Sequence, residues 1–292
     1  MILDPLFIVA SPRSGSSMLR LMLTCHRALH LPPECGFALW LQPEYGAWSE
    51  ASLEADLERF LDALFLARKF ETWSLERPAL REWLLRVARP RTYAELVSSV
   101  YTFHGLAHHK QAFRWGDKNN YYLNHIGELR ALFPRAVFLH LVRDVRDIAC
   151  SYLELAGRRF ASPYAPRLAQ DAAHIARGWQ EDLERIHRGL ESLEGRAAHE
   201  IRFEDLAARP EETLRRVCDF LGLPFDPAML DFHARNREQG LEPAATLEWK
   251  QKTLEPVDPS RVGRYRTELS PEQVGTIEAA ARGGLRRYRY LD

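Results

Sequence analysis

The 292-residue sequence predicts an α/β fold: a parallel sheet flanked by helices, with a helical insertion forming a cap at about residues 48–110. Three observations carry this expectation. Short apolar runs suited to buried strands alternate with helical patterns along the chain. Two of those runs end in loops that carry anion-binding groups. Residues 48–110 interrupt the alternation with helical periodicity and little strand signal.

Leu6-Phe7-Ile8-Val9-Ala10 reads as the first strand, Ser11-Pro12-Arg13-Ser14-Gly15-Ser16-Ser17 as a tight loop, and Met18–Leu23 as helix. That layout makes a P-loop-like anion cradle. The first backbone N–H groups of a helix have no internal partner, and the helix dipole adds positive potential there. Gly15 allows the backbone to approach an anion closely, and Ser16 and Ser17 add hydroxyl donors. A nucleotide-hydrolysing loop carries a lysine after its second glycine and a hydroxyl for magnesium. Here Arg13 precedes the glycine and no lysine follows, which points to an anion-transfer site using arginine, with no metal expected. The plainer alternative is a serine-capped helix start.

A short strand is expected near Leu29-His30-Leu31. Within the insertion, Leu53, Leu57, Phe60, Leu61 and Leu64 recur at helical spacing, as do Leu80, Trp83, Leu84 and Val87. This segment is expected to cap the acceptor site, against the alternative of a purely structural insertion. Residues 111–118 return to the sheet, and Tyr121 to Phe133 is expected to be a helix stopped by Pro134. Ala136–Val142 is the next buried strand. It ends in Arg143-Asp144 before a helix from Val145, so Arg143 stands at a strand's carboxyl edge, where open α/β sheets bind ligands. Ser151, eight residues on, completes a candidate second phosphate site; an arginine merely paired with Asp144 or Asp147 is the alternative.

Trp179, Leu183, Ile186, Leu190 and Leu193 form an amphipathic stripe, which is core packing. A strand at His199–Phe203 follows. Pro210 suits the first turn of a helix, with Gly222 past its end, and Ser270-Pro271-Glu272-Gln273 reads as a capping box. Leu241 to Pro259 has weak periodicity and is expected to be a mobile loop across the cofactor. The whole, residues 1–292, is expected to be one domain.

The 40 basic and 40 acidic residues balance, which argues against broad nucleic-acid binding and requires local positive potential for any anionic ligand. Cys25, Cys35, Cys150 and Cys218 lack metal spacing. With no signal peptide or long apolar span evident, they are expected to be reduced thiols in a cytoplasmic protein with no membrane partner. The oligomeric state is not legible.

Taken together, the two anion motifs resemble those of the sulfotransferases that use 3′-phosphoadenosine 5′-phosphosulfate (PAPS), most closely the branch of bacterial and tyrosylprotein sulfotransferases. Trp115-Gly116-Asp117-Lys118, Arg202-Phe203-Glu204-Asp205-Leu206, Pro210–Pro224 and Val262-Gly263-Arg264-Tyr265-Arg266 extend the resemblance in order through most of the chain. It implies that Arg13, Ser14, Gly15, Ser16 and Ser17 hold the 5′-phosphosulfate. It implies that Arg143 and Ser151, with Phe203, Gly263 and Arg264, serve the rest of the nucleotide and its 3′-phosphate, and that Lys118 assists transfer. Phe203 stands for a tyrosine, Tyr265 for a frequent tryptophan, and Asn119-Asn120 for a common Thr-Pro.

The implied reaction moves a sulfuryl group from PAPS to a hydroxyl by in-line displacement, releasing adenosine 3′,5′-bisphosphate (PAP). Arg13 and Lys118 neutralise the charge that grows on the bridging oxygen. In the tyrosylprotein branch a glutamate twenty-one residues after the loop arginine is the base, which falls on Glu34, and His26 falls on that branch's histidine. Rivals as base are His26, His30, His104, His108 and His109. The acceptor is expected to be a small molecule, as in natural-product modification. Trp40, Tyr45, Trp48, Tyr101 and Phe103 are candidates to line its pocket, or else ordinary core. Protein-tyrosine sulfation, a P-loop kinase-type phosphotransferase and a non-catalytic nucleotide-binding protein are the alternatives.

Overall fold

Strands β1 (Leu6–Val9), β2 (Leu29–His30), β3 (Arg114–Lys118), β4 (Val137–Val142) and β5 (Ala198–Arg202) pair in parallel in the order β2-β3-β1-β4-β5. This arrangement is that of a computed structural model describing residues 4–193, 195 and 197–292. β1 is central and wholly buried, as its unbroken apolar run requires when helices cover both faces. The chain fills the β3 and β2 side first and then crosses to β4 and β5. The strand order therefore reverses beside β1, the place where such sheets open a ligand crevice at their carboxyl ends.

The principal helices are α1 (Ser16–Cys25), α2 (Leu57–Leu66), α3 (Tyr93–Ala107), α4 (Ile126–Leu132), α5 (Val145–Ala156), α6 (Ala172–Glu191), α7 (Pro210–Leu221), α8 (Pro271–Ala280) and α9 (Arg282–Arg287). Alternate residues of β1 feed different cores. Leu6 and Ile8 pack with α1 and α7. Phe7 and Val9 join the aromatic core that holds the helical insertion to the sheet. The Phe7 ring lies 5.9 Å from Trp115, 5.5 Å from Tyr122, 6.1 Å from Phe133 and 5.7 Å from Phe138. Trp115 in turn stacks on Tyr101 of α3 at 4.1 Å. A third cluster, with Trp179, Leu183 and Leu285, seats α6 between α5 and the C-terminal helices.

The local punctuation behaves as expected at Pro210, at Gly222 (φ 69°) and at the Ser270–Gln273 capping box. Other segments differ. Phe203 begins a helix (Phe203–Ala208) instead of ending β5. The segment after β3 is not one helix. A 3₁₀ turn, Asn120–Asn124, starts where the Asn119 side chain accepts from the Tyr121 N–H, and α4 begins anew after His125. Val87 is exposed rather than part of a buried stripe, because Leu84–Ala88 forms a wide π-type turn that rotates it outward. Leu241 to Pro259 is anchored rather than loosely held. It contains short helical turns at Ala244–Leu247 and Gln251–Leu254, with Glu242, Thr246, Lys250 and Thr253 buried. Buried ion pairs, invisible to periodicity, secure it.

Phe7→Ala removes a ring that contacts both the sheet and the insertion. It is expected to lower unfolding free energy by about 3–5 kcal/mol in urea titration, without altering strand content by circular dichroism.

Candidate active site

The loop after β1 turns sharply into α1. Arg13 (φ 68°) and Gly15 (φ 96°) both occupy the left-handed region. Gly15 is the N-cap of α1, no side chain caps the helix, and no acidic residue lies in its first turn. The donors at this terminus thus have no carboxylate in the helix's own first turn to engage them, the electrostatic preparation for an external anion. The Arg13 Nε donates to Ser151 Oγ at 3.1 Å, which ties the loop to α5.

Arg143, one residue beyond β4, is 4% exposed. Its guanidinium donates to the Arg261 carbonyl at 2.9 Å and lies 4.1 Å over the Phe203 ring. Burial lowers its pKa to about 10, leaving it charged at neutral pH. Its Nε has no partner among the described residues. A β-carbon on Gly15 would sit 2.7 Å from that same Phe203 ring, so Phe203 fills the space between the loop and Arg143. Asp147, the alternative partner of Arg143, instead accepts from the backbone N–H groups of Gly263 and Tyr265. Asp144 is engaged by Arg146.

Glu34 and Lys118 leave the carboxyl edges of neighbouring strands β2 and β3, which brings them together across 84 residues of sequence. Lys118 Nζ lies 2.6 Å from Glu34 Oε1, Lys250 Nζ lies 3.4 Å from the same oxygen, and Lys69 Nζ lies 3.0 Å from Oε2. Burial opposes ionisation of Glu34, but the three ammonium groups outweigh it and hold the pKa well below the usual carboxylate range. The network continues inward through Lys250–Glu242 at 2.6 Å to Glu242–Arg20 at 2.7 Å. Beside it, buried Asp117 accepts from Tyr101 Oη at 2.5 Å, Tyr122 Oη at 2.6 Å and the Lys118 N–H at 2.7 Å. Burial outweighs these donors and raises its pKa to about 7.

The outer members of these networks open on one cavity of about 730 Å³. Arg13, Gly15, Ser16, Ser17, Glu34, Lys118, Arg143, Ser151 and Phe203 all reach its wall. Ser14 does not reach it and is fully buried, its hydroxyl without a partner among the described residues. Gly263 and Arg264 do not line it. The backbone spends the Gly263 N–H on Asp147, and Arg264 turns outward to pair with Glu154 and Glu268. Arg261 takes the place at the wall. None of the five rival histidines lines the cavity. His26 bonds the Pro224 carbonyl at 2.8 Å, and His30 pairs with His104 at 2.7 Å. Nor do the five candidate aromatics: Tyr45, Trp48 and Tyr101 are buried core, Phe103 packs against it, and Trp40 faces solvent beside Tyr121.

The sequence points to residues 36–110, 152–180 and 241–259 as sources of the remaining wall, but does not single out the individual side chains. Lys69 and Arg68 come from the insertion, Tyr164 and Arg167 from the loop before α6, and Lys250, Lys252 and Pro256 from the anchored segment. Nine basic residues line the cavity (Arg13, Arg68, Lys69, Lys118, Arg143, Arg167, Lys250, Lys252, Arg261) against three acids (Glu34, Glu255, Asp258). A chain with no net charge has concentrated positive potential where the loop opens. The bunching of lysines after Glu248 was the available signal.

A P-loop-like sheet whose switch-point crevice holds an uncapped helix start, the loop arginine Arg13, Arg143 from the edge of the neighbouring strand and a lysine–glutamate pair is equipped for a multiply charged anion beside an acid–base group. The chain belongs to the sulfotransferase family: residues 5–227 match that family's model. It is 26% identical over 281 residues to nodulation protein NoeE of Sinorhizobium fredii, covering 93% of this chain and 62% of that protein. The chain thus spans under two thirds of that relative's length. It is 22% identical over 228 residues to a putative protein-tyrosine sulfotransferase of Caenorhabditis briggsae, covering 78% of this chain and 69% of the other. Its fold is similar to those of solved sulfotransferase domains. The sulfotransferase domain from the Synechococcus PCC 7002 olefin synthase aligns with TM-score 0.59 and 22% identity over 95% of both chains. The sulfotransferase domain from the curacin biosynthetic pathway has TM-score 0.56 and 22% identity, over 94% of this chain and 96% of that one.

Two outcomes follow from this geometry. Gly15→Ala places a β-carbon against Phe203 at a left-handed backbone position. It is expected to weaken anion binding by calorimetry more than tenfold, or about 1.4 kcal/mol, while far-ultraviolet circular dichroism is retained. Burial opposes ionisation of Glu242, but Lys250 and Arg20 hold its pKa at about 2. Its pKa is depressed on folding, so the unfolded chain binds the proton first as pH falls. Stability is fully present above about pH 4.3 and is lost towards about pH 2. Glu242→Gln is expected to flatten that acid slope and to cost about 3–5 kcal/mol at pH 7, read by urea midpoints across pH.

Proposed function

We propose that this chain transfers a sulfuryl group from PAPS to a hydroxyl of a small-molecule acceptor, with Glu34 taking the acceptor's proton. One observation carries the reading. The carboxylate of Glu34 and the anion-binding loop face the same cavity, with Lys118 between their functions. In this reading the α1 terminus, Ser16, Ser17 and Arg13 hold the phosphosulfate, and Arg143, Ser151 and Arg261 hold the 3′-phosphate, stacked against the Phe203 side of the crevice. The sequence comparison supports the sulfuryl donor, and the cationic wall supports a bisphosphate ligand.

In the transfer, the acceptor oxygen attacks sulfur as the bond from sulfur to the bridging oxygen breaks. The acceptor's proton passes to Glu34, and PAP leaves with the negative charge. Arg13 and Lys118 stabilise that developing charge. The three-lysine grip makes Glu34 a weak base in the free protein. The phosphosulfate competes with Glu34 for Lys118, and each ammonium drawn towards the donor raises the proton affinity of Glu34. Binding of the donor thereby arms the base. The walls that Tyr164, Arg167 and the anchored segment add to a cavity of about 730 Å³ favour a small acceptor over a protein tyrosine.

The decisive experiment is single-turnover transfer from PAPS with a panel of small hydroxyl acceptors and a tyrosine peptide. Glu34→Gln is expected to lose about 10²–10⁴-fold in rate, with PAP affinity nearly unchanged by calorimetry. Retention of more than about a third of the wild-type rate removes Glu34 from proton transfer, and turnover confined to the peptide replaces the small-molecule reading. Arg143→Ala is expected to weaken PAP far more than adenosine 5′-phosphate, because a charge-assisted contact to the 3′-phosphate is lost. Equal losses assign Arg143 to the fold. Stabilisation by PAP in the presence of EDTA is expected, and stabilisation only by ATP with magnesium overturns the donor assignment.

A further inference from the structure

A polar cluster lies where α6 covers β4 and β5, and none of its residues lines the cavity. His140 of β4 is paired in register with Glu200 of β5. His187 reaches them from α6, and Tyr288 from just beyond α9. A ligating atom on each of His140, His187 and Glu200 lies within 4.8 Å of the others. Tyr288 Oη donates to Glu200 Oε2 at 3.0 Å and contacts His187 Nε2 at 2.6 Å.

His140 is 1% exposed, yet its imidazole is poorly satisfied. Its Nδ1 is 3.6 Å from Glu200 Oε2, beyond a hydrogen bond, and its Nε2 has no partner among the described residues. A buried ring left in this condition is costly. The cluster is built from different elements, so helical periodicity does not explain it. Glu200 is half exposed, which gives an ion a route in.

We propose that His140, His187 and Glu200, with the Tyr288 hydroxyl beside them, form a binding site for a divalent transition ion of the zinc type. Two imidazoles and a carboxylate make a common ligand set for such an ion, with a phenol or water in the fourth position. Glu200 supplies the negative charge that the two imidazoles lack. Because Tyr288 Oη commits its hydrogen to Glu200, His187 Nε2 carries a proton in the metal-free protein. Ligation at Nε2 transfers that proton to Nδ1, leaving the ring neutral. The bound ion would join α6, two adjacent strands and the C-terminal segment. It takes no part in sulfuryl transfer, since none of its ligands lines the cavity.

A second histidine group, His30, His104 and His108, is less suited. Its buried members, His30 and His104, already pair with each other at 2.7 Å, and His108 Nδ1 is engaged by the His104 carbonyl at 2.9 Å. It serves as the control.

The test is titration of the EDTA-treated, full-length chain with zinc by calorimetry, and with cobalt(II) by visible absorption. One tight equivalent, a d–d band of low-symmetry cobalt and a rise in melting temperature with metal are expected. His187→Ala and Glu200→Gln are each expected to weaken binding about 10–100-fold, and His108→Ala to leave it unchanged. The Glu200 side chain is half exposed, so Glu200→Gln carries the test even where His187→Ala fails to fold. The proposal is overturned by wild-type affinity no greater than that of Glu200→Gln, by an absent cobalt band, or by loss of binding in His108→Ala alone.

Discussion

Charge crowding at the carboxyl edge of the sheet governs this molecule. Nine cationic side chains converge on one cavity, and the protein supplies few anions to balance them. Glu34 and Glu242 are the internal counter-ions. Between them they engage Lys69, Lys118, Lys250 and Arg20, and so bind the insertion, the sheet, α1 and the segment after α7 into one polar framework. Buried ion pairs of this kind are poor sources of net stability but are punishing to break. They fix where four otherwise independent chain segments sit, while the uncapped start of α1 and the Arg143 Nε stay without a partner among the described residues.

Much of this architecture was legible in sequence because it depends on short-range rules. The strand–loop–helix of residues 6–25 is written in an apolar run, a glycine where φ must be positive and an uncapped helix start. Arg143 and Ser151 follow from a strand edge and the helix next to it. Lys118 and Glu34 share one chamber because parallel neighbours end at the same level, and their sequence matches already implied it.

What stayed hidden depends on contacts between distant segments. Arg20 sits inside an apolar helix, and nothing local shows that it reaches the Leu241 carbonyl and Glu242; hence the expectation of a mobile loop there. Arg261 and Arg264 are three residues apart and both pair with Glu154, and only the tertiary course of their segment decides that the first reaches the cavity wall and the second does not. The aromatic residues proposed for an acceptor pocket were indistinguishable by spacing from the core residues that most of them are. Hydrophobic pattern reports burial, not which side of a cavity wall a ring occupies.

The position of Phe203 has an evolutionary consequence. One ring is pressed between the Gly15 backbone and the guanidinium of Arg143, so the two ends of the anion crevice share a single spacer. A change in the size or polarity of that ring alters both at once, and neither can drift independently. Glycine, ring and arginine should therefore be inherited as a set in descendants of this chain, with substitutions at one position accepted only alongside compensation at the others.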